Sequence, residues 1–295
     1  MFLLQQEQWN HTHFLIHFTI EYEKIIDAFY KYLLIGGMPE SVQSFVLTND
    51  LKRVNLIQEK IDTYYRKDIT QYAPANQRIH LETIYRLIGQ ELNKKNKRFS
   101  LGEVGEGYKI KNIQDDFMWL KKAGVTIPVI NIDEPKSPLE ISCNNRLVKI
   151  YHCDVGILCY NLMDTNIQMK LFTKEKNINY GAIFENFVAQ ELYAHVFDEI
   201  YYFNSKKQGE VDFVIEYGGN VVPLKVKSGK DFKIHSALTN LLSDKYDIPF
   251  AIVLCNNNVQ KEDKILYLPI YMTMFIKKLQ PKSTKIKLDL SSLDV

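Results

Sequence analysis

The feature that most constrains this chain is a pair of alternating segments joined by glycines. Glu210–Tyr217 and Val221–Ser228 alternate apolar and polar residues, and Gly218-Gly219-Asn220 lies between them. Period-two alternation marks a strand with one buried face, and glycines supply the positive φ that a tight hairpin turn needs. The pair predicts an antiparallel β-hairpin. Strict alternation puts Val211, Phe213, Ile215 and Tyr217 on one face, with Glu210, Asp212, Val214 and Glu216 on the other. On the returning strand Val222, Leu224 and Val226 share one face, and Pro223, Lys225 and Lys227 the other. Charged residues of both strands thus meet on one side.

The flanking sequence alternates helix and strand. Gly181–Phe197 clusters Phe184, Phe187, Val188 and Leu192 at helical spacing, and Ile200–Phe203 reads as a strand. Ile234–Tyr246 reads as a helix, Phe250–Cys255 as a buried strand and Leu266–Leu268 as another. The order αβββαβ predicts one mixed sheet with flanking helices. Further upstream, residues 1–75 read as helical, with a second helix from about Asn49 to Asp68. Ala73-Pro74-Ala75 is a candidate boundary. A helix around Ile84 and Leu87 follows. Ser100 with Glu103 is a capping-box signal for a short one, and Asn112 can cap a third. Val125–Ile132 and Leu147–His152 then read as strands. Three helices and a β-hairpin make the winged-helix plan.

At 295 residues the chain is long enough for two domains plus a helical segment. The expected division is 1–75 helical, 76–165 winged helix, 166–280 mixed sheet and 281–295 a mobile tail, giving the fold class α/β plus α. With 24% charged and 46% hydrophobic residues the chain is neither disordered nor a disulfide scaffold. The formal charge of +2 gives no global mark of a nucleic-acid binder, so any basic surface is local. Cys143, Cys153, Cys159 and Cys255 form no CxxC pair, and a reducing cytoplasm is the expected compartment. No apolar run is long enough to span a membrane, and no signal peptide is evident.

The hairpin and the helix before it carry the candidate chemistry. Glu185 and Glu191 lie on that helix; a 100° wheel puts Glu191 near the middle of the apolar stripe and Glu185 near its edge. An acid on a packing face needs a partner or a metal. Carboxylates on adjacent elements beside a lysine are what metal-assisted phosphodiester hydrolysis uses: the acids hold Mg²⁺, and the lysine orients the nucleophile or steadies the phosphate. The bland alternative is a cross-strand ion pair. His13 and His17, four apart, could share a metal on a helix.

Acid at 185, acid at 212, then a tripeptide ending in Lys227 is the layout of the PD-(D/E)xK restriction-endonuclease-like superfamily. More narrowly, five runs resemble one group. They are Leu34-Ile-Gly-Gly-Met-Pro-Glu40, Tyr151-His-Cys-Asp-Val-Gly-Ile157, Gly181-Ala-Ile-Phe-Glu-Asn-Phe-Val188, Glu210-Val-Asp-Phe213 and Val226-Lys-Ser-Gly229. The group is the C-terminal region of bacterial and archaeal AAA-class ATPases whose C-terminal half is a domain of unknown function. The resemblance runs from about residue 25 to 280. It implies a winged helix followed by a nuclease-like domain, with Glu185, Asp212 and Lys227 as catalytic residues and Asp212, Glu185 and Glu191 as metal ligands.

Two departures shape what the resemblance implies. The chain has no G-x-x-x-x-G-K-[ST], so neither an ATP site nor nucleotide hydrolysis is expected. It is expected to be a fragment, a truncated product or a member that lost the ATPase module. The acid of the acid-x-Lys tripeptide is Lys225 here. Reversing that charge turns an attraction into a repulsion, each term being about 4 kcal/mol between unit charges at 4 Å and an effective dielectric near 20, enough to oppose Mg²⁺. No cofactor is then expected, unless a relocated acid such as Glu210 restores Mg²⁺ binding. The expected role is that of an accessory part of an AAA-type ATPase, binding DNA or a protein partner. Phosphate contacts would fall to Lys109, Lys111, Lys121 and Lys122, or to Lys94, Lys95, Lys97 and Arg98. Apolar surface in residues 1–45 offers self-association.

Overall fold

An eight-stranded mixed sheet organises the molecule, seen here in a computed structural model. It describes residues 11–94, 97–99, 110–175, 178, 180–195, 197, 199–243 and 246–278, without the side chains of 11–21, 110–113 and 145–146. The strands are β1 (Thr126–Ile132), β2 (Cys143–His152), β3 (Ile200–Ser205), β4 (Gly209–Tyr217), β5 (Asn220–Lys227), β6 (Ala251–Cys255), β7 (Gln260–Glu262) and β8 (Ile265–Pro269). Their spatial order is β2-β1-β3-β4-β5-β6-β8-β7. The expected hairpin forms as β4 and β5, closed by Gly218 and Gly219 at φ 59° and 81°. β5, β6 and β8 run parallel, so the sheet is mixed as the element order predicts.

Strict alternation along β4 fails at one place. Phe203 of β3 stands opposite Val211 and Tyr201 opposite Val214, so β4 takes three steps where β3 takes two. This is a β-bulge, and a bulge re-aims the side chains around it. Val211 therefore buries with Val214 on one face, while Phe213 and Ile215 bury on the other. The expected grouping of Val211 with Phe213 is corrected by that extra residue.

Nine α-helices occur among the described residues: α1 (His11–Ile35), α2 (Pro39–Thr48), α3 (Leu51–Tyr72), α4 (Arg78–Asn93), α5 (Ile110–Lys122), α6 (Val155–Leu162), α7 (Thr165–Phe172), α8 (Tyr180–Ala194) and α9 (Ser236–Ser243). Local chemistry sets many of their ends. Pro39 opens α2, and Asn49 closes it at φ 50°. Asp50, Asp154 and Asp164 cap α3, α6 and α7 through their carboxylates. The helix expected from Asn112 starts at Ile110. The helix expected at Ser100–Gly107 and the tail after Pro281 lie outside the described residues.

β1 runs parallel to β3, with Val129 opposite Ile200 and Ile132 opposite Phe203. Strands on both sides of the boundary expected at residue 165 therefore share one sheet. The larger core cluster runs from Ile26 to Ile276 and takes in α1, α4, α5 and α8. A smaller one on the opposite face packs α9 through Leu238 and Leu241. Among the described residues no helix is long and apolar enough to cross a membrane.

Candidate functional site

The bulge in β4 places Asp212 beside β5. Its Oδ1 accepts from Lys225 Nζ at 2.8 Å, and its Oδ2 accepts from the backbone N–H of Val226 at 2.7 Å. Lys225 Nζ also donates to the backbone oxygen of Glu210 at 3.1 Å. From α8, Glu185 reaches the same region: its Oε1 is ion-paired with Lys97, and its Oε2 accepts from Tyr151 Oη at 3.2 Å. Glu210 completes the network. Its carboxylate accepts from Lys149 Nζ at 2.6 Å and from Asn204 Nδ2 at 2.7 Å. Lys149 is wholly buried, with its ammonium 4.7 Å from the centre of the Tyr202 ring. Three acids from α8 and β4 thus meet three lysines.

The electrostatics follow from that geometry. Burial pushes the Asp212 carboxyl up, but Lys225, Lys149 and Lys97 outweigh it and hold the group below the ordinary range. Burial pulls Lys225 down, while Asp212, Glu185 and Glu210 outweigh it and raise its pKa. Both members of the pair are therefore charged at neutral pH. Lys227 moves the other way: burial and the neighbouring Lys225 ammonium lower it.

The structure brings Glu185, Asp212, Glu210 and Lys225 together. Glu191 is not among them. It lies against Tyr32, and burial raises its carboxyl pKa. The wheel reading is reversed, because Glu185 is 4% exposed and Glu191 is only half-buried. Lys97, read as a phosphate contact, holds Glu185 instead, and Lys94 holds Glu91 at 2.6 Å. Lys121 pairs with Glu199 at 2.7 Å, whereas Lys122 is exposed. Lys109 and the side chain of Lys111 lie outside the described residues, as do the side chains of His13 and His17. Lys149, Tyr151 and Tyr202 were not anticipated as network members. The signal for Lys149 was a charge set inside the apolar run Leu147–Tyr151.

A hard divalent cation needs several oxygen ligands converging without a competing positive charge. Here the Lys225 ammonium lies between Asp212 Oδ1 and the Glu210 carbonyl, and the other Asp212 oxygen is taken by a backbone N–H. Lys97 occupies an oxygen of Glu185. This donor set does not fit Mg²⁺. Among the described residues no three His, Cys, Asp or Glu side chains form a group that could hold a metal ion.

Two family models match the chain. Residues 26–168 match Domain of unknown function (DUF8612), and residues 180–272 match Domain of unknown function (DUF4143). Neither the curated proteins nor the solved structures contain a match. Glu185, Glu210, Asp212 and Lys225 fall in the second matched region, while Lys97, Lys149 and Tyr151 fall in the first. The charge network therefore joins the two matched families across one sheet.

Proposed function

We propose that this chain is a binding module acting as the C-terminal accessory part of an AAA-type ATPase. In this reading it recognises nucleic acid or a partner, and its restriction-endonuclease-like site carries a lysine in place of the metal. The DUF4143 match supports the association, since that domain typically stands C-terminal to AAA ATPase domains. The succession α8-β3-β4-β5-α9-β6 supports a nuclease-like ancestry for the second half. Helices α4 and α5 followed by β1 and β2 are compatible with a winged-helix ancestry for the first, with its wing drawn into the larger sheet.

The observation that carries the reading is the contact of Lys225 Nζ with Asp212 Oδ1 at 2.8 Å and with the Glu210 oxygen at 3.1 Å. The ammonium supplies the positive charge that a metal would bring, but it has no open coordination position and no water to activate. Hydrolysis is thereby lost, while the charge balance that holds the acids in place is kept.

Calorimetric titration with Mg²⁺ and Mn²⁺, with plasmid cleavage in parallel, tests this. The wild type is expected neither to bind metal nor to cleave. Lys225→Glu, which returns an acid and removes the competing charge, is expected to gain metal binding. Metal binding by the wild type that is lost in Asp212→Ala, together with cleavage, would establish an active Mg²⁺-dependent endonuclease instead.

A further inference from the structure

The C-terminal ends of β3 and β5 carry cations that the buried network does not use. Ser205 and Gly209 face each other across the β3–β4 turn, so the exposed Lys206 and Lys207 stand at its tip. Lys227 ends β5 half-buried, and Lys230 follows in an exposed stretch. These places are neighbours. The contact of Lys225 with the Glu210 oxygen sets the end of β5 beside the start of β4. Asn240 of α9 donates to the backbone oxygen of Gln208 at 3.5 Å, and a Cβ on Gly209 would stand 3.0 Å from that of Ala237. Helix α9, into which the segment after β5 leads, therefore lies against the β3–β4 turn.

Among the described residues Lys206, Lys207, Lys227 and Lys230 make no ion pair. Lys94, Lys97, Lys121 and Lys149, by contrast, each hold a carboxylate. In the same segment Lys233 is tied to Glu262, and the acids whose charge Lys227 feels without an ion pair are Asp212 and Asp231. Ile234, 68% exposed, adds an apolar side chain beside these cations. Across three strands spaced about 4.8 Å apart, the lysines span roughly 10 Å. With one phosphate per roughly 3.4 Å of each strand, that span meets about three phosphates. An unpaired lysine gives up no internal partner when it meets a phosphate, and binding releases condensed counterions.

We infer that this edge binds the phosphodiester backbone of a nucleic acid through Lys206, Lys207, Lys227 and Lys230. The inference rests on the binding-module reading above and places the contact away from Lys121 and Lys122. The two have separate tests: metal binding at Asp212 would defeat the earlier reading without touching this edge, and failure to bind DNA would defeat only the edge.

The experiment is fluorescence anisotropy of the full chain with a labelled DNA duplex and with its single strand, titrated with salt. The wild type is compared with the triple variant K206E/K207E/K230E and with K121E/K122E. The triple variant is expected to lose about tenfold or more in affinity, and its slope of log affinity against log salt on duplex falls by about 0.9 for each phosphate no longer neutralised. The K121E/K122E protein keeps wild-type affinity. Because the three lysines are exposed and unpaired, the triple variant should melt at the wild-type temperature. Absence of DNA binding by the wild type, or equal loss in both variants, would overturn the inference. So would competition by polyglutamate as effective as that by unlabelled DNA, which would assign the edge to an acidic protein segment.

Discussion

Asp212 is 2% exposed, and a carboxylate so buried persists only with its charge matched. Removing one partner is the costly change. Asp212→Ala, which leaves the Lys225 ammonium facing a gap, is expected to lose about 3–5 kcal/mol in urea unfolding. The double variant Asp212→Leu with Lys225→Met should recover most of that loss, because it removes both charges and keeps apolar volume. Equal losses in the two proteins would mean that the cost does not come from stranding the Lys225 ammonium and that the pair itself stabilises the fold. The pH dependence has a definite sign. The folded-state pKa of Asp212 is depressed, so its contribution is full above the unfolded value near 4 and is lost as pH falls through the folded value. His152 titrates in a different window. Burial lowers it to about 4, with Asp62 opposing and Arg66 reinforcing the shift. The unfolded chain takes up that proton first, so stability declines as pH falls from about 6.5 towards 4, by roughly 3 kcal/mol in total. Thermal melts across that range should reveal the decline in the wild type, and His152→Leu should flatten it. At this scale Asp212 and Lys225 were legible, because alternation alone sets them on one side of the hairpin. Lys97 and Lys149 were not, because their carboxylate partners are remote in sequence and a local pattern carries no information about them.

Helices α1 and α6 approach so closely that side chains are excluded between them. A Cβ on Gly156 would lie 2.6 Å from the backbone nitrogen of Gly36 and 2.7 Å from the carbonyl oxygen of Ile35. Neither atom is the end of a flexible side chain. Gly156→Ala should therefore force the helices apart and cost about 1–3 kcal/mol, as overpacking does. A Cβ on Gly229 meets nothing within 4 Å, so Gly229→Ala is the matched control and should stay within about 0.5 kcal/mol of the wild type. Chemical denaturation of both checks the contrast, and equal midpoints would show that α1 yields without cost. The same junction is held by polar contacts. Asp154 accepts from the backbone N–H of Gly37 at 2.7 Å and of Ile157 at 3.0 Å, and Gln190 of α8 accepts from that of Val155 at 2.8 Å. The motif Gly36-Gly37 and the run Tyr151–Ile157, far apart in sequence, are thus two sides of one contact. The segments read from sequence, β4, β5, β6 and α8 among them, are those marked by alternating runs around a glycine turn, by a bounded apolar run or by an apolar cluster at helical spacing. Helices α2, α6 and α7 were not separated out, although the eight-residue α9 was: in α6 Val155–Cys159 are all buried and leave no polar face to set a period, and α7 buries Gln168 beside Leu171. Val46 and Leu47 of α2 are moreover exposed at 70% and 75%, so its apolar residues do not mark a buried face.

Across the whole molecule, one sheet and one main core cross the gap between the two family matches. Strand β1, from the first matched region, lies parallel to β3 from the second, and Val129, Ile150, Phe184, Ile200 and Leu254 belong to a single cluster. Sequence patterns identify strands but not their neighbours. The expected independent wing was therefore a reasonable reading of two adjacent strands and a short loop, and the parallel pairing of Ile200–Phe203 with Val129–Ile132 had no local signal. Elements that share a core unfold together, because opening one half exposes the apolar face of the other. The two matched regions are accordingly expected to behave as one cooperative unit. Native-state hydrogen exchange measures this directly. Amides of Val129 and Ile150 in the first region, and of Ile215 and Leu254 in the second, should exchange at one common free energy equal to that of global unfolding. Under rising urea all four should converge on the same isotherm. If β1 and β2 instead opened at a lower free energy while β4 and β6 stayed protected, the first region would be a separable domain leaning on the sheet. The lysine network that links Lys97 and Lys149 to Glu185 and Glu210 would then be a docking contact between two units rather than part of one core.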